Sequence, residues 1–498
     1  MKLRPALSLA LLALAPLGLL AEGLSPQAQA APAESLPLAS YLAQVAAKND
    51  ALQAAHGQNQ SLDLAALEPE TAFSPSLSAA YSHNETQMQP SSAMMPASIY
   101  GSSWDLGVGK LFATGTHVDL GYQSAWSVDQ YGSSIRPDLS GFNPTEQGQL
   151  YGLFGSLEST GTWYTASPTL TISQSLWKGF MARGFDIAIQ KVQASYGSLK
   201  RLNDFKAQSI LYQAEAAYLQ LALARATVAV QEEALERNMK ILEWSKRRAA
   251  QNLVDEVDVL QTEAQVKAVE VGLATAREGL RSAARSFNAL RGRDDDQVDA
   301  SLDELALPDP AQLQRKDERL DLKAARLQLK ADDLSVDEVI EKYRPDLSVF
   351  YSAALNGGSG SYSTALSDQD RLAWAAGVKL SANIDLPLIS KVVEGAKTAS
   401  SSSQHGFEQQ RRDLDKDWDN LQSQWESVQQ RLAQVDELVA LQKEKSEREK
   451  VRFNNGRTTN YQVLSFENDY SSAQLMRLGL VTEARVLAAT AKLYNGAY

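Results

Sequence analysis

The chain has 498 residues, with 48 Lys and Arg against 60 Asp and Glu, which gives a net charge of −12 and a pI near 5.1. This acidic surplus disfavours a nucleic-acid partner, because the phosphate backbone requires a basic surface. The length exceeds what one compact core usually accommodates, so we expect several domains or an elongated architecture. No cysteine is present, which excludes disulfides and thiol-linked lipid anchors.

The N-terminus has the three parts of a secretory signal peptide. Lys2 and Arg4 precede the apolar run ALSLALLALAPLGLL, and the small residues of AQAAP place a cleavage site after Ala30. Beyond this point no apolar run approaches the roughly 20 residues that a membrane helix requires. Entry into a membrane would therefore need strands closed into a β-barrel.

No sequence pattern typical of catalysis or metal binding is present. None of the histidines sits in a metal-ligand spacing such as HExxH, and neither a glycine-rich phosphate loop nor a GxSxG turn occurs. We therefore expect no enzymatic activity, no catalytic residue, no cofactor and no metal site. The four histidines are His56, His83, His117 and His405.

The sequence contains an internal duplication. The segment FSPSLSAAYS at residues 73–82 recurs with its spacing intact as YRPDLSVFYS at residues 343–352. Extended towards the N-terminus, residues 52–82 align without a gap on residues 322–352 and match at about a dozen of roughly thirty positions. A second set of matches aligns Arg248, Val259, Leu260, Glu263 and Gly292 with Arg452, Val463, Leu464, Glu467 and Gly496.

Proline placement predicts two long helical tracts. No proline occurs between Pro168 and Pro308, or after Pro387, and a proline costs a helix interior about 3 kcal/mol. Both tracts have apolar residues three and four apart, which is typical of amphipathic helices. Each is interrupted once, at Asn252 or Gly456, and these residue types accept the left-handed conformation that ends a helix. Each tract therefore predicts a helical hairpin with arms of about 60 residues, on the order of 90 Å long.

The segments before these tracts alternate between apolar and polar residues, as strands do. In THVDLGYQSAW and LAWAAGVKLSANIDLPL the apolar face comprises Val118, Leu120, Tyr122 and Trp126, and Leu372, Trp374, Val378, Leu380, Ile384 and Leu386. A soluble sandwich would show the same alternation. Runs of about 9–11 residues favour membrane strands instead. The tryptophans expected in aromatic girdles near the strand ends are Trp104, Trp126, Trp163 and Trp374.

The number of strands implies a partner. The chain offers four to six strands, whereas a bacterial barrel needs at least about eight. Open sheet edges are not tolerated in lipid, so other copies of the chain must complete the sheet.

The order of these motifs resembles the TolC-type outer-membrane efflux proteins. The motifs are the signal peptide, PxLSxxYS, SLWKGFMARG, a long helix, RAAQNLVDEVDVLQTE, and a second round that includes RFNNGRTTNYQVLSFENDYSSAQ. The most specific element is R-F-x-x-G-x-x-x-x-x-x-V-L, from Arg452 to Leu464. The resemblance covers nearly all of the mature chain. It implies an α+β subunit that forms a trimer, with a twelve-stranded outer-membrane β-barrel continued by a tunnel of coiled-coil helical hairpins in the periplasm of a Gram-negative bacterium.

The resemblance also implies a function and partners. The trimer would be the passive exit duct of a tripartite efflux pump or type I secretion system, for drugs, toxic small molecules or proteins. Its partners would be a periplasmic adaptor (membrane fusion) protein, an inner-membrane pump and outer-membrane lipid. One departure from the family is an additional hairpin, SWDLGVGKLFATGTHVDLGYQ. We expect four strands per subunit to span the membrane, although this hairpin would raise the number to six.

These interpretations divide the chain into seven segments. They are a signal peptide (1–30), N-terminal equatorial helices (31–72), first-repeat barrel strands and outer loops (73–178), a first long hairpin (179–300), an equatorial segment (301–342), second-repeat strands (343–388) and a second long hairpin (389–498).

The resemblance places two sites at the hairpin tips. Adaptor docking is expected at Arg248, Asn252, Leu253, Arg452, Phe453, Gly456, Arg457 and Thr458. A periplasmic aperture, acidic in the family, is expected at Asp255, Asp258, Gln462 and Ser465. The residues alone leave a simpler interpretation open, in which Asp255, Thr458 or Thr459 caps a helix and Asp258 is a first-turn acid favoured by the helix dipole. Arg457 is one position from the family's gate-locking arginine, which leaves a salt bridge to Asp258 open.

A competing function is that of a secreted periplasmic or extracellular coiled-coil protein with a structural or adhesive role. In that protein the strands would form a small soluble domain. Membrane-length strands with aromatic ends favour the channel.

Overall fold

The computed structural model describes residues 35–89, 95–130, 139–155, 159–251, 255–308, 313–315 and 318–498. Its strands are β1 (Ser76–Gln87), β2 (Ser98–Leu111), β3 (Thr116–Gln130), β4 (Ser159–Ser175), β5 (Asp346–Ser359) and β6 (Arg371–Ser381). Its helices are α1 (Leu38–Lys48), α2 (Asp50–Ala65), α3 (Pro144–Gly155), α4 (Arg183–Ala249), α5 (Glu256–Leu290), α6 (Leu320–Lys342), α7 (Tyr362–Ser367), α8 (Leu386–Asn454) and α9 (Asn460–Asn495).

The strands form one antiparallel sheet of six, in which each strand pairs with the next along the chain. Both copies of the proline motif lead into a strand, because Pro75 directly precedes β1 and Pro345 directly precedes β5. The two halves of the sheet meet where β4 pairs with β5, with Leu170 opposite Ala353. The sheet has six strands, so the additional hairpin is part of it, while the expectation that four of them span the membrane stays a prediction. The additional hairpin forms β2 and β3, which contain 14 and 15 residues and alternate between apolar and polar side chains.

One face of the sheet is apolar on all six strands. Its members include Leu77, Tyr81, Trp104, Leu106, Leu120, Trp126, Leu170, Ile172, Tyr351, Leu355, Trp374 and Val378. The opposite face is mostly polar or small and includes Ser78, Ser103, Asp105, Asp119, Gln123, Thr169, Ser352, Asn356 and Lys379. The predicted apolar face of β3 is confirmed. Because side chains alternate with period two along a strand, the apolar residues lie on one face of the sheet and the polar or small residues mostly on the other.

Two details of the strand prediction are wrong. Trp163 lies opposite Ser127 on the polar face, so it does not share a face with the other three tryptophans. Ile384 and Leu386 lie beyond β6, which ends at Ser381. The reason for the second error is that Asp385 accepts a hydrogen bond from the Leu388 amide, at 3.1 Å, and starts α8 at Leu386.

The two helical hairpins have unequal arms. Helices α4 and α8 contain 67 and 69 residues, about 100 Å, whereas α5 and α9 contain 35 and 36. The prediction of equal arms is therefore wrong. The returning arms stop early because Gly292 (φ 70°) and Gly496 (φ 69°) adopt the left-handed conformation just after them. No helix within the described residues is both long and apolar enough to cross a membrane.

A band of packed aromatic residues surrounds the middle of the long helices. Tyr41 of α1 stacks on Phe287 of α5 with ring centroids 4.0 Å apart, and Tyr218 of α4 completes the cluster. Burial raises the pKa of both tyrosines. A second cluster joins α6, α8 and α9 around Leu322 and Trp418. These clusters hold the helices together midway between the sheet and the hairpin tips.

The connection from β4 to α4 is a tight corner. Gly179, Met181 and Ala182 all have positive φ angles, and two of them carry a Cβ. Such a conformation costs roughly 1–2 kcal/mol for a residue other than glycine, so surrounding contacts must hold it. One contact is the buried carboxylate of Glu341, which accepts a hydrogen bond from the Gly179 amide at 2.9 Å.

Candidate functional site

The second hairpin tip is a regular helix end and a regular helix start. Gly456 has φ 71°, its amide donates to the Phe453 carbonyl, and the Arg457 amide donates to the Arg452 carbonyl, each at 2.9 Å. This pair of bonds is the Schellman arrangement. The helix end predicted at Gly456 is therefore confirmed.

The two returning helices start differently. Thr459 caps α9, because the Gln462 amide donates to its hydroxyl oxygen at 3.4 Å. Asp255 occupies the equivalent position before α5 but makes no side-chain cap hydrogen bond. Its exposed carboxylate is therefore not used as a helix cap. Asn252 and Leu253 lie outside the described residues.

Three of the predicted docking residues, Arg248, Phe453 and Gly456, lie close together at the tip. The Arg248 guanidinium lies 4.5 Å from the Trp244 ring centroid, and the Trp244 ring lies 3.8 Å from that of Phe453. A Cβ on Gly456 would lie 3.3 Å from the guanidinium of Arg248. Phe453 is only 3% exposed, so its ring supports the tip from inside. These contacts join the end of α4 to the end of α8.

A buried asparagine links three helices at the tip. Asn460 of α9 is 2% exposed, and its amide nitrogen donates to the Ser245 hydroxyl of α4 at 2.9 Å. The same nitrogen lies 3.4 Å from the Asp258 carbonyl and 3.5 Å from the Thr262 hydroxyl, both on α5. The structure thereby brings together the first turns of α5 and α9, which carry Asp258 and Gln462.

A buried carboxylate lies further along α9. Glu467 is 1% exposed, accepts a hydrogen bond from the Ser446 hydroxyl, and pairs with Arg237 at 2.8 Å and Lys450 at 2.7 Å. Arg237 also donates to Ser471, at 3.0 Å. These residues join α4, α8 and α9 behind the tip. We call Arg237, Ser446, Lys450 and Glu467 the tip charge cluster.

Sequence reasoning did not assign the tip charge cluster, although it aligned Glu263 with Glu467. The usable signal was a second match at the same offset, because Lys246 aligns with Lys450. Lys246 and Glu263 form an ion pair at 2.7 Å, and both side chains are about half exposed. A repeated Lys–Glu spacing across two helix arms could therefore have predicted the ion pair, but not its burial.

The remaining predicted tip residues differ in their contacts and in their exposure. Arg452 and Thr458 both bind the buried carboxylate of Glu449, Arg452 at 3.2 Å, and the Arg452 side chain is still 60% exposed. Arg457 is exposed and forms no ion pair with Asp258. Ser465 is partly buried, and the Gln462 side chain accepts a hydrogen bond from the Thr458 hydroxyl at 2.7 Å.

The chemistry available at the tips is charge and hydrogen bonding on exposed side chains. Asp255 and Gln462 are exposed, and Asp258 is partly so. Within the described part of the chain, no group of three or more His, Cys, Asp or Glu side chains could hold a metal ion. The sheet with one apolar face continues into two helical hairpins, whose longer helices α4 and α8 are about 100 Å long.

Comparison with known proteins identifies the fold. No family model and no curated protein matches the sequence, but solved structures match the fold. The outer-membrane channel OprN matches with 17% identity and a TM-score of 0.66, over 93% of this chain and 90% of that chain. The outer membrane protein VceC from Vibrio cholerae matches with 16% identity and a TM-score of 0.66, over 92% and 96% of the two chains.

A third match is the MtrE outer membrane channel of Neisseria gonorrhoeae in its open state. It has 14% identity and a TM-score of 0.62, over 92% of this chain and 88% of that chain. The chain therefore has the fold of the outer-membrane channels. This confirms, for the fold, the resemblance to the TolC-type proteins that the sequence motifs predicted.

Proposed function

We propose that this chain is a member of the TolC-type family and the subunit of a trimeric outer-membrane channel, a passive exit duct for small molecules or proteins. The observation that carries the proposal is the apolar face of the sheet. Leu77 is 79% exposed and Trp374 is 66% exposed, and the strands continue directly into the long helices α4 and α8. Lipid is the solvent that such a face requires.

This face also weighs against the secreted coiled-coil alternative. A soluble sandwich would bury one face of its sheet under a second layer. Among the described elements, only the short helix α7 lies over the apolar face, against β4 and β5. A soluble scaffold would thus expose an apolar surface far larger than soluble monomers tolerate.

The proposed trimer follows from the sheet edges. Strands β1 and β6 each pair with one neighbour within the described chain, and six strands are fewer than the roughly eight that the smallest bacterial barrel needs. Neighbouring copies would therefore pair β1 with β6. Three copies would surround an axis with six helical hairpins, two from each internally duplicated subunit, and form the periplasmic tunnel.

We further propose that the tips carry the partner contacts and the aperture. The exposed side chains of Arg452 and Arg457, with the surface around Gly456, would contact a periplasmic adaptor that leads to an inner-membrane pump. Three copies of Asp258, with Asp255 nearby, would form an acidic ring that favours cations. Gln462 and Ser465 would add hydrogen-bonding groups without charge to this ring.

The test is localisation, assembly and conductance of the mature chain. We expect it to remain in outer membranes after carbonate extraction, to have the mass of three copies by native mass spectrometry in mild detergent, and to form ion-conducting pores in planar bilayers. Release by carbonate as a soluble protein would overturn the membrane assignment. A compact monomer by ultracentrifugation in mild detergent would overturn the trimer.

A separate experiment tests the tips. A photo-crosslinking residue at Arg457 should capture a periplasmic adaptor, identified by mass spectrometry. The same residue at Leu441, an exposed position on α8 away from the tip, is the matched control. Equal capture at both positions, or none at Arg457, would remove the tip from the docking surface.

A further inference from the structure

We infer that all six strands of each subunit span the outer membrane, so that three copies close an eighteen-stranded barrel. The inference rests on the proposed trimeric membrane channel but goes beyond it. The resemblance stated for the sequence implies a twelve-stranded barrel, to which each subunit would give four strands. The question is therefore whether β2 and β3 belong to the membrane wall.

Strands β2 and β3 are complete members of the sheet. Pairing between them runs without interruption from Ser98 opposite Gln130 to Leu111 opposite His117. They contain 14 and 15 residues, while β1 and β5 contain 12 and 14. At about 3.3 Å per residue, 14 residues reach about 46 Å, more than the hydrocarbon core requires even for a tilted strand.

The hairpin of β2 and β3 has one apolar and one polar face, like the other four strands. On the apolar face it contributes Trp104, Leu106, Val108, Leu120, Tyr122 and Trp126, and these align with Leu77 and Tyr81 of β1 and Leu170 of β4. On the other face it contributes Asp105, Asp119 and Gln123. Leu106 is 49% exposed and Leu120 is 57% exposed. A hairpin that lay in water on both sides would not need this separation.

The hairpin of β2 and β3 also ends at the same level as the neighbouring strand β4. Its turn packs against the end of β4, where the side-chain amide of Gln174 donates a hydrogen bond to the Thr114 carbonyl at 2.9 Å. Gly115 has φ 77°, and a Cβ there would lie 2.7 Å from the Gly179 carbonyl oxygen. The turn therefore fits against the corner between β4 and α4. This contact keeps β2 and β3 in the wall rather than above or below it.

Six strands per copy are also compatible with a closed antiparallel barrel. In an antiparallel meander of six, the first and last strands run in opposite directions, so β1 of one copy and β6 of the next continue the antiparallel pattern. With strands about 4.8 Å apart and tilted by about 40°, eighteen strands give a barrel about 36 Å across, against about 24 Å for twelve. The membrane section would then be about 1.5 times wider and would not limit passage.

Spin labels on single cysteines test the inference, because the chain has no native cysteine. The variants Leu106→Cys and Leu120→Cys probe the apolar face of the hairpin, and Ser103→Cys probes its polar face. Val378→Cys and Ala375→Cys are matched controls on β6. In reconstituted trimers, we expect the labels at 106 and 120 to be as accessible to dissolved oxygen as the label at 378. The label at 103 should be accessible to a water-soluble nickel complex, like the label at 375.

The outcomes separate the inference from the proposed function. Labels at 106 and 120 exposed to water, with the label at 378 in lipid, would overturn the eighteen-stranded barrel and leave the channel intact. A label at 378 in water would overturn the membrane assignment itself.

A deletion variant supplies an independent measurement. Removal of residues 90–138 deletes β2 and β3 and leaves β1 free to pair with β4. The measurement is the radius of the smallest polyethylene glycol that the outer mouth of the trimer excludes. We expect this radius to be about 1.5 times smaller for the variant than for the parent. An unchanged cut-off in a trimeric, conducting variant would place the hairpin outside the wall.

Discussion

The two hairpin tips use the same lysine and glutamate in different ways. Lys246 and Glu263 pair at 2.7 Å on the first hairpin, and Lys450 and Glu467 pair at 2.7 Å on the second. The first pair is about half exposed, but the Glu467 carboxylate is buried. The difference comes from α4, which packs against α9 as well as α5 and brings Arg237 onto Glu467. A duplicated local pattern thus reproduces an ion pair, and the third helix determines what the pair contributes.

The largest expected effect is the loss of the buried carboxylate. Glu467→Ala removes the buried partner of Arg237 and Lys450, whose side chains are 19% and 36% exposed, and Arg237 keeps its ion pair with Glu233. The loss of these charge-assisted hydrogen bonds should destabilise the protein by about 2 kcal/mol. The matched variant Glu263→Ala removes an exposed partner and should cost less than about 1 kcal/mol. Denaturant unfolding in detergent, monitored by the circular dichroism signal of the helices, measures the free energy of unfolding of both variants. Equal losses in the two variants would show that the two tips are not energetically different.

Gly456→Val should have the next largest effect. A β-branched residue in the left-handed conformation costs roughly 1–2 kcal/mol, and its Cβ would also displace the Arg248 guanidinium. We expect export to be abolished. Gly496→Val is the control, because it has the same backbone conformation with no atom within 4 Å of the added Cβ. Normal export by Gly456→Val at normal trimer levels would count against a role for the tip.

Asn460→Ala should have a moderate effect. It removes a buried donor shared by Ser245 and the Asp258 carbonyl, which should cost about 1–2 kcal/mol. The aligned residue of the first hairpin is Glu256, which is exposed, so Glu256→Ala should be close to neutral. Thermal unfolding of the two variants makes the comparison. A neutral Asn460→Ala would show that the three-helix link does not stabilise the tip.

The smallest structural effect is expected at the aperture, where the first hairpin has Asp258 and the second has Gln462. Asp258→Asn should reduce cation selectivity about twofold at low salt, and Gln462→Asp should strengthen block by trivalent cations. Single-channel recording in planar bilayers measures both properties. If neither variant changes conductance or selectivity, these residues do not line the aperture.

The features that sequence reasoning predicted correctly depend on neighbours along the chain. The helix end at Gly456, the cap at Thr459 and the alternating face of β3 each need only a few consecutive residues. The features it missed depend on distant contacts. Asn460 meets Ser245 across 215 residues, and the face of Trp163 follows from pairing with β3. The sequence left the strand number between four and six, because alternation shows that a segment can pair but not that it enters the main sheet.

The sites at the tips remain predictions. The structure places Asp258 and Gln462 on neighbouring helix starts through Asn460, which no local pattern indicated. Arg248 and Phe453 were chosen as contact residues, and both also support the tip from within. A motif can therefore be specific for a tip because it folds the tip, and only the exposed part of it is available to a partner.

The seam between β4 and β5 has a consequence for the order of folding. Strands β1 to β4 can pair before the second half of the chain folds, because each follows its neighbour along the chain. The edge of β4, however, waits for β5, which follows only after the whole first hairpin. A contact between such distant segments forms slowly. Until β5 pairs, the chain carries an apolar sheet with an open edge in water, so this interval is the period of greatest aggregation risk.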